Sequence, residues 1–306
     1  MSSQAVSTPS TATSRTAKPR ARTPLSWRRV RKRAWSVGFY LLVLIAIFVA
    51  LFPFYWILRT SLSTNADIAR GTEATGLFPS HLSTGAYSQD FNQQHFLTPL
   101  LNSAIVALAA TAITVVVATM AGYALARLPI RGSGPILAFI LLAGFFPVLA
   151  MVGPLFLLFR DLGFLDSIYP LILAYLVYTL PIATWLLRNF FAQIPRELEE
   201  AALVDGATRL QALRKVVVPV ALPGVFTAAI LAFILAWNDF AFAVSFLETP
   251  GNFTAPLAIV NLGQSQFQVF YNRIDAAVVI ITIPIAVLVL FAQRRIVAGL
   301  TAGSFR

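Results

Sequence analysis

The feature that most constrains this chain is a succession of apolar blocks of about twenty residues, the length a helix needs to cross a hydrocarbon core about 30 Å thick. The first runs from Val37 to Leu58, and five more follow at about 104 to 126, 136 to 159, 168 to 187, 224 to 247 and 276 to 293. Between them lie polar stretches of unequal length. Across the 306 residues 58% are hydrophobic and 11% charged, against roughly 25% charged in an average soluble domain. The expected fold class is all-α, a polytopic membrane protein with six transmembrane helices and a single membrane domain.

Residues 1–26 are rich in Ser, Thr, Ala and Pro with scattered Arg and Lys, too poor in apolar surface to offset the entropy of ordering. With the basic run Trp27-Arg28-Arg29-Val30-Arg31-Lys32-Arg33, they are read as a disordered basic cytoplasmic tail over 1–33, ahead of a permease-sized membrane domain over 34–306. A cleaved signal peptide would also begin with arginines. The first block, however, is 22 residues long, ends on Pro53-Phe54-Tyr55-Trp56 and lacks a small-x-small cleavage site, so it is expected to stay as a membrane helix.

Six crossings put both termini on one side, and the basic residues say which. Nineteen of the 23 Lys and Arg fall on the side of the termini, and only Arg59, Arg70, Arg160 and Arg273 on the other. Cytoplasmic N and C termini follow, with some attraction of the basic stretches to anionic headgroups of the lipid bilayer. The net charge of +11 is therefore a topological signal, and no base-reading motif accompanies it. Nucleic acid is not an expected partner.

Several chemistries are excluded. The chain has no cysteine, so a disulfide framework, a thiolate metal site and a cysteine nucleophile are ruled out. His81 and His95 stand in a polar stretch without a carboxylate cluster and are expected to be ordinary loop residues; no metal or other cofactor is expected. Lys18, Lys32 and Lys215 do not follow a glycine, so the phosphate-binding loop of an ATPase is absent. An ion-coupled transporter would need ionisable groups at mid-membrane, where the blocks offer only Asp239. An intramembrane protease would need a Ser-His or paired-Asp constellation, and neither is present.

The blocks are punctuated by proline and glycine: Gly144, Pro147, Gly153 and Pro154 in the third, Pro170 and Pro181 in the fourth, Pro284 in the sixth. Breaks at such residues persist in a membrane where protein or a watery path satisfies the freed carbonyls, which makes the third span a candidate pathway wall, with a packing kink as the alternative.

The longest of the loops expected on the cytoplasmic side, 188–223, carries the most information. Pro195 suits a first helical turn, and Glu197, Glu199 and Glu200 sit where carboxylates favour the positive helix end. Ile194, Leu198, Ala201 and Ala202 share one face, Asp205-Gly206 supplies a turn, and Leu210, Leu213 and Val217 repeat the pattern up to Pro219. Two short helices are expected, with small residues that admit a partner closely and carboxylates exposed to pair with its arginines. An interfacial hairpin of no special function is the alternative.

Glu200-Ala201-Ala202, three residues, Gly206, nine residues, then Val216-x-Val218-Pro219 resembles the EAA loop of ATP-binding-cassette importer permeases. Phe52-Pro53-Phe54-Tyr55-Trp56, Leu101-Asn102-Ser103, Gly122-Tyr123-Ala124-x-Ala126-Arg127, Trp237-Asn238-Asp239 and Gly299-Leu300-Thr301-Ala302-Gly303 are similar to the maltose-transporter type of carbohydrate permease. Among these, FILAWNDF and TAPLAI look closest to trehalose importers. The resemblance implies the type I importer permease fold and a role as transport subunit with no catalytic residue of its own. It also implies three kinds of partner: a second homologous permease, two ATP-binding-cassette ATPases and an extracytoplasmic sugar-binding protein. Glu199, Glu200, Ala201, Ala202, Asp205 and Gly206 would couple to the ATPases. Trp237, Asn238 and Asp239 stand near the middle of the fifth block as candidates for the sugar pathway: Trp237 as a platform for a pyranose face, Asn238 and Asp239 as hydrogen-bonding groups. Asp239 has a structural alternative, capping a helix break or pairing with the partner permease. A permease for another solute, such as glycerol-phosphate, is the rival reading of the cargo.

Overall fold

A computed structural model describes residues 27–71, 76–92, 95–262 and 269–301. Among the described residues the regular structure is helical: α1 (Trp27–Ser61), α2 (Asn65–Ala69), α3 (Gly85–Asn92), α4 (Leu97–Arg127), α5 (Ser133–Gly144), α6 (Val148–Asp161), α7 (Tyr169–Gln193), α8 (Arg196–Val204), α9 (Arg209–Ala212), α10 (Val218–Val220), α11 (Leu222–Trp237), α12 (Ala241–Phe246), α13 (Ala255–Leu262) and α14 (Tyr271–Thr301). Helix α1 begins at Trp27, inside the stretch assigned to the tail, while residues 1–26 lie outside the described residues. The ending Ala302-Gly303 lies outside them too. The chain divides into two compact units, 1–53 and 54–306. The first consists, in its described part, of α1 up to Pro53; the second holds the remaining helices.

Helix α1 over Trp35–Ser61, α4, α7 and α14 over Tyr271–Phe291 are each long and apolar enough to cross a bilayer, and two bent pairs raise the number to as many as six. The third block, expected as one span, is two helices: α5 and α6 meet at 86° across Phe145-Phe146-Pro147. Proline alone does not break these helices. Pro154, Pro181 and Pro284 lie inside α6, α7 and α14, and Pro170 occupies the first turn of α7, where its missing N–H is not needed. The fifth block is also interrupted, with α11 ending at Trp237 and α12 starting at Ala241.

The centre of this unit is the trio α4, α7 and α11. In lipid there is no hydrophobic gain from bringing two apolar helices together, so close packing and interhelical hydrogen bonds decide. Helix α4 supplies the small residues this requires: Ala110, Thr114, Ala118 and Gly122 recur at every fourth position and all are buried. A Cβ on Gly122 would stand 2.9 Å from the backbone N of Arg188, so only glycine lets α4 and α7 approach there. Midway along, the Thr114 and Thr179 hydroxyls lie 2.7 Å apart and Thr179 donates to the Tyr175 carbonyl at 2.8 Å. The opposite face of α4, with Leu101, Ile105, Leu108, Val116 and Met120 more than half exposed, is apolar, as a lipid-facing surface must be.

At the end of the unit away from α8, polar side chains fasten the loops. Asp166 accepts from the backbone N–H groups of Glu248 (3.0 Å) and Thr249 (2.8 Å) and from the Thr249 hydroxyl (2.5 Å). These donations, the Thr249 hydroxyl foremost, hold its carboxyl well below the usual carboxylate range. Asn102 donates to the Gly251 and Phe253 carbonyls, and Ser103 accepts from Ala255 N. The Leu101-Asn102-Ser103 motif thus serves to anchor the loop before α13. His81 sits 3.1 Å from Asp67 with most of its ring exposed, in keeping with its reading as a loop residue.

Candidate functional site

Two places on this framework carry the residues singled out in the sequence. The first is the segment between α7 and α11. Pro195 precedes α8, whose first turn holds Glu197 and Glu199. Asp205 closes the helix, and Gly206, at φ +86°, takes the left-handed conformation that reverses the chain at little steric cost. Thr208 and Gln211 then form a reciprocal capping box that starts α9. The chain does not stop at Pro219. A π-helical turn over Leu213–Val217 widens the ladder just before the proline, and the helix continues to Val220 before α11 leaves at 83°.

The inward face of α8 differs from the expected one. Leu198, grouped with the apolar face, is exposed, Ala201 is exposed as a residue open to a partner should be, and Glu199, expected to be exposed, is buried at 7%. Its Oε1 accepts from the Tyr123 hydroxyl at 2.5 Å and its Oε2 lies 3.8 Å from Arg127 Nε. Arg127 in turn donates through Nη2 to the carbonyls of Phe191 (2.6 Å) and Ile194, which close the C-terminal end of α7. That end carries unsatisfied carbonyls and a partial negative charge, both of which a guanidinium answers. The pattern of apolar residues was a poor guide here because α8 packs on a polar anchor. The Tyr and Arg of the Gly122–Arg127 motif are the signal that could have found it.

What remains for a partner is the outer surface: Glu200, Ala201, Asp205 and Gly206 are exposed, Ala202 is half-buried, and Val204 and Leu210 stand 86% and 66% exposed. Leu213 and Val217 turn inward, so Leu210 leaves the face it was expected to share with them.

The second place is a cleft of about 380 Å³ lined by Val148, Tyr178, Ile182, Ile234, Leu235, Asn238 and Asp239. It forms where both broken spans meet: Val148 is the first residue after the break between α5 and α6, and Asn238 and Asp239 lie in the break between α11 and α12. Asp239 accepts from the Tyr175 hydroxyl at 3.0 Å and from Ala243 N at 3.3 Å, so it ties the new helix start to α7. The capping alternative is what the geometry displays. Asn238 is exposed and uses one amide hydrogen on the Ile234 carbonyl. Trp237 turns away: it is 3% exposed, stacked on Phe233 at 5.4 Å between ring centroids, with its indole N–H on the Ile281 carbonyl. Trp237 therefore does not line this cleft, and its N–H is engaged inside the protein. Tyr178 was missed by sequence reasoning. Its ring stacks on Phe242, and its buried hydroxyl has no hydrogen-bond partner among the described residues. A buried donor left open is costly in an apolar setting, so this hydroxyl is a ready contact for a polar guest.

Comparison with known proteins places this geometry. A profile described as binding-protein-dependent transport system inner membrane component matches residues 115–301. The sulfoquinovosyl glycerol transport system permease protein SmoH of Agrobacterium fabrum is 44% identical over 84% of this chain and 89% of its own. The trehalose transport system permease protein SugB of Mycobacterium tuberculosis is 45% identical over 84% and 93%. In structure, a chain of a bacterial ATP-binding-cassette transporter involved in import of the acidic polysaccharide alginate superimposes with a TM-score of 0.74 at 26% identity, covering 89% of this chain and 99% of that one.

Proposed function

The chain belongs to the family of binding-protein-dependent transport system inner membrane components, and from that premise we propose that it forms half of the translocation pathway of a sugar importer, moving a neutral oligosaccharide of the trehalose or maltose type. It is a multi-pass membrane permease and not an enzyme; ATP hydrolysis belongs to partner ATPases. A second homologous permease completes the pathway, an extracytoplasmic binding protein delivers the cargo, and both termini face the cytoplasm, as the distribution of basic residues supports.

The observation that carries this reading is the α8 to α10 segment. Its inner face is fixed to the membrane helices, whereas Glu200, Ala201, Val204, Asp205 and Gly206 stand outward, with Val204 left 86% exposed among the described residues. Small, apolar and acidic groups on an exposed helix face and turn suit a docking face for a soluble ATPase. Closure of the ATPase pair would drive the two permeases between inward-facing and outward-facing arrangements.

Identity alone does not choose between cargoes, since relatives named for different sugars are equally similar. The cleft favours a neutral sugar. It offers hydroxyl, amide and carboxylate groups from Tyr178, Asn238 and Asp239 and no Lys or Arg, so an anionic glycoside or glycerol-phosphate would meet Asp239 without compensation. The test is reconstitution in liposomes with the cognate ATPases and binding protein. ATP-dependent uptake of a neutral disaccharide is expected, and Gly206→Leu or Glu200→Lys should abolish it while the complex still inserts. Full uptake by both variants would make the segment a mere interfacial hairpin, and preferred uptake of an anionic sugar would overturn the cargo assignment.

A further inference from the structure

The contacts of Glu199 divide the coupling segment mechanically. On its α8 side, Glu199, buried at 7%, joins Tyr123 and Arg127 of α4, and Arg127 spans to the Phe191 and Ile194 carbonyls at the end of α7. Three helices are fastened by one set of buried polar groups, in the same layer where Gly122 brings α4 against Leu187 and Arg188. Arg127 Nε makes no hydrogen bond among the described residues, but sliding α8 would part the Glu199 carboxylate from the Tyr123 hydroxyl, and moving α4 against α7 would part Arg127 from its two carbonyls, leaving buried polar groups unpaired. On the other side the segment has features that yield: a left-handed glycine at 206, a π-helical turn over Leu213–Val217, and the 83° bend that follows Val220.

We propose that Tyr123, Arg127 and Glu199 make α8 one rigid body with the adjoining ends of α4 and α7, so that an ATPase-driven push on α8 passes directly into those two helices while flexing is taken up between Gly206 and Leu222. Glu199 is thereby a positioning residue and not an ATPase contact. The inference rests on the coupling role proposed above and adds the route that the movement takes.

The chain lacks cysteine, so paired labels can be placed cleanly in the assembled transporter. Spin labels at Arg196→Cys with Met120→Cys report α8 against α4, and at Arg196→Cys with Leu222→Cys report α8 against α11. Trapping the ATPases in their closed state should leave the first distance unchanged and shift the second. A shift in the first distance overturns the proposal. In unlabelled complexes Tyr123→Phe and Glu199→Gln should lower sugar transported per ATP hydrolysed by roughly threefold or more, at unchanged subunit stoichiometry. An unchanged ratio, with only less complex recovered, would make the cluster purely structural. Gly206→Leu separates the two levels: if it too leaves the ratio intact, the coupling reading itself fails, whereas uncoupling by Gly206→Leu alone leaves that reading standing and removes only the rigid-body route.

Discussion

Replacing Gly224 with alanine tests the packing that seats α11 beside the coupling segment. The new Cβ would stand 2.4 Å from Phe190 Cγ and 2.6 and 2.7 Å from the two Cδ atoms, against about 3.5 Å for a comfortable carbon contact. The clash is with the base of the ring, so turning the ring about its own axis brings no relief, and the Phe190 Cα–Cβ bond or the helix must move by about 1 Å. Overpacking of this kind costs about 1–3 kcal/mol. Exchanging glycine for alanine within a helix returns up to about 1 kcal/mol. A net destabilisation of about 1–2 kcal/mol is expected for Gly224→Ala in a denaturant titration of the detergent-solubilised protein. Phe190→Leu should cost less in the Gly224→Ala background than in wild type, because the smaller side chain vacates the space the methyl needs; the double-mutant cycle reads this as a coupling of about 1 kcal/mol. A neutral or stabilised Gly224→Ala, or strictly additive variants, would refute the claim that α11 is held against α7 at this point by the absence of a side chain.

Two further outcomes follow from the geometry. Single cysteines at Ala69 and Thr249 should react with an impermeant thiol reagent added outside intact cells, and those at Arg131 and Thr208 should react only after permeabilisation; all four positions are exposed, unlike Ser63, which is buried and would stay silent in either orientation. Asp239→Asn should suppress uptake while the complex and its ATPase stimulation by the binding protein persist, since the amide still accepts from Tyr175 and Ala243 but lacks the charge facing the cleft; a complex that falls apart on purification would leave Asp239 with a capping role alone.

The amino-acid sequence was enough to read an all-helical membrane protein, because hydrocarbon admits no unsatisfied backbone and a run of about twenty apolar residues has few other outcomes. The turn at Asp205-Gly206 and the exposed Glu-Ala-Ala surface were legible for a similar reason: left-handed glycines and helix starts are local events, fixed by residues within a few positions. Proline was a weaker guide. Pro147 marks a true break, while Pro154, Pro181 and Pro284 are carried inside helices whose neighbours hold the geometry.

Contacts between distant residues were decided only by the tertiary structure. Nothing within several positions of Glu199 says that it turns inward, since its partners lie 76 and 72 residues earlier on α4, and the same local sequence would serve an exposed carboxylate equally well. Nor does the local sequence place Trp237 against Phe233 and the Ile281 carbonyl, 44 residues on. Tyr178, one aromatic among many in an apolar span, acquires its interest from an open hydroxyl and from the two breaks that meet beside it. Hydropathy and turn chemistry act along the chain and can be read there. The partner that satisfies a buried polar group is chosen by packing across it, and that choice exists only once the helices have come together.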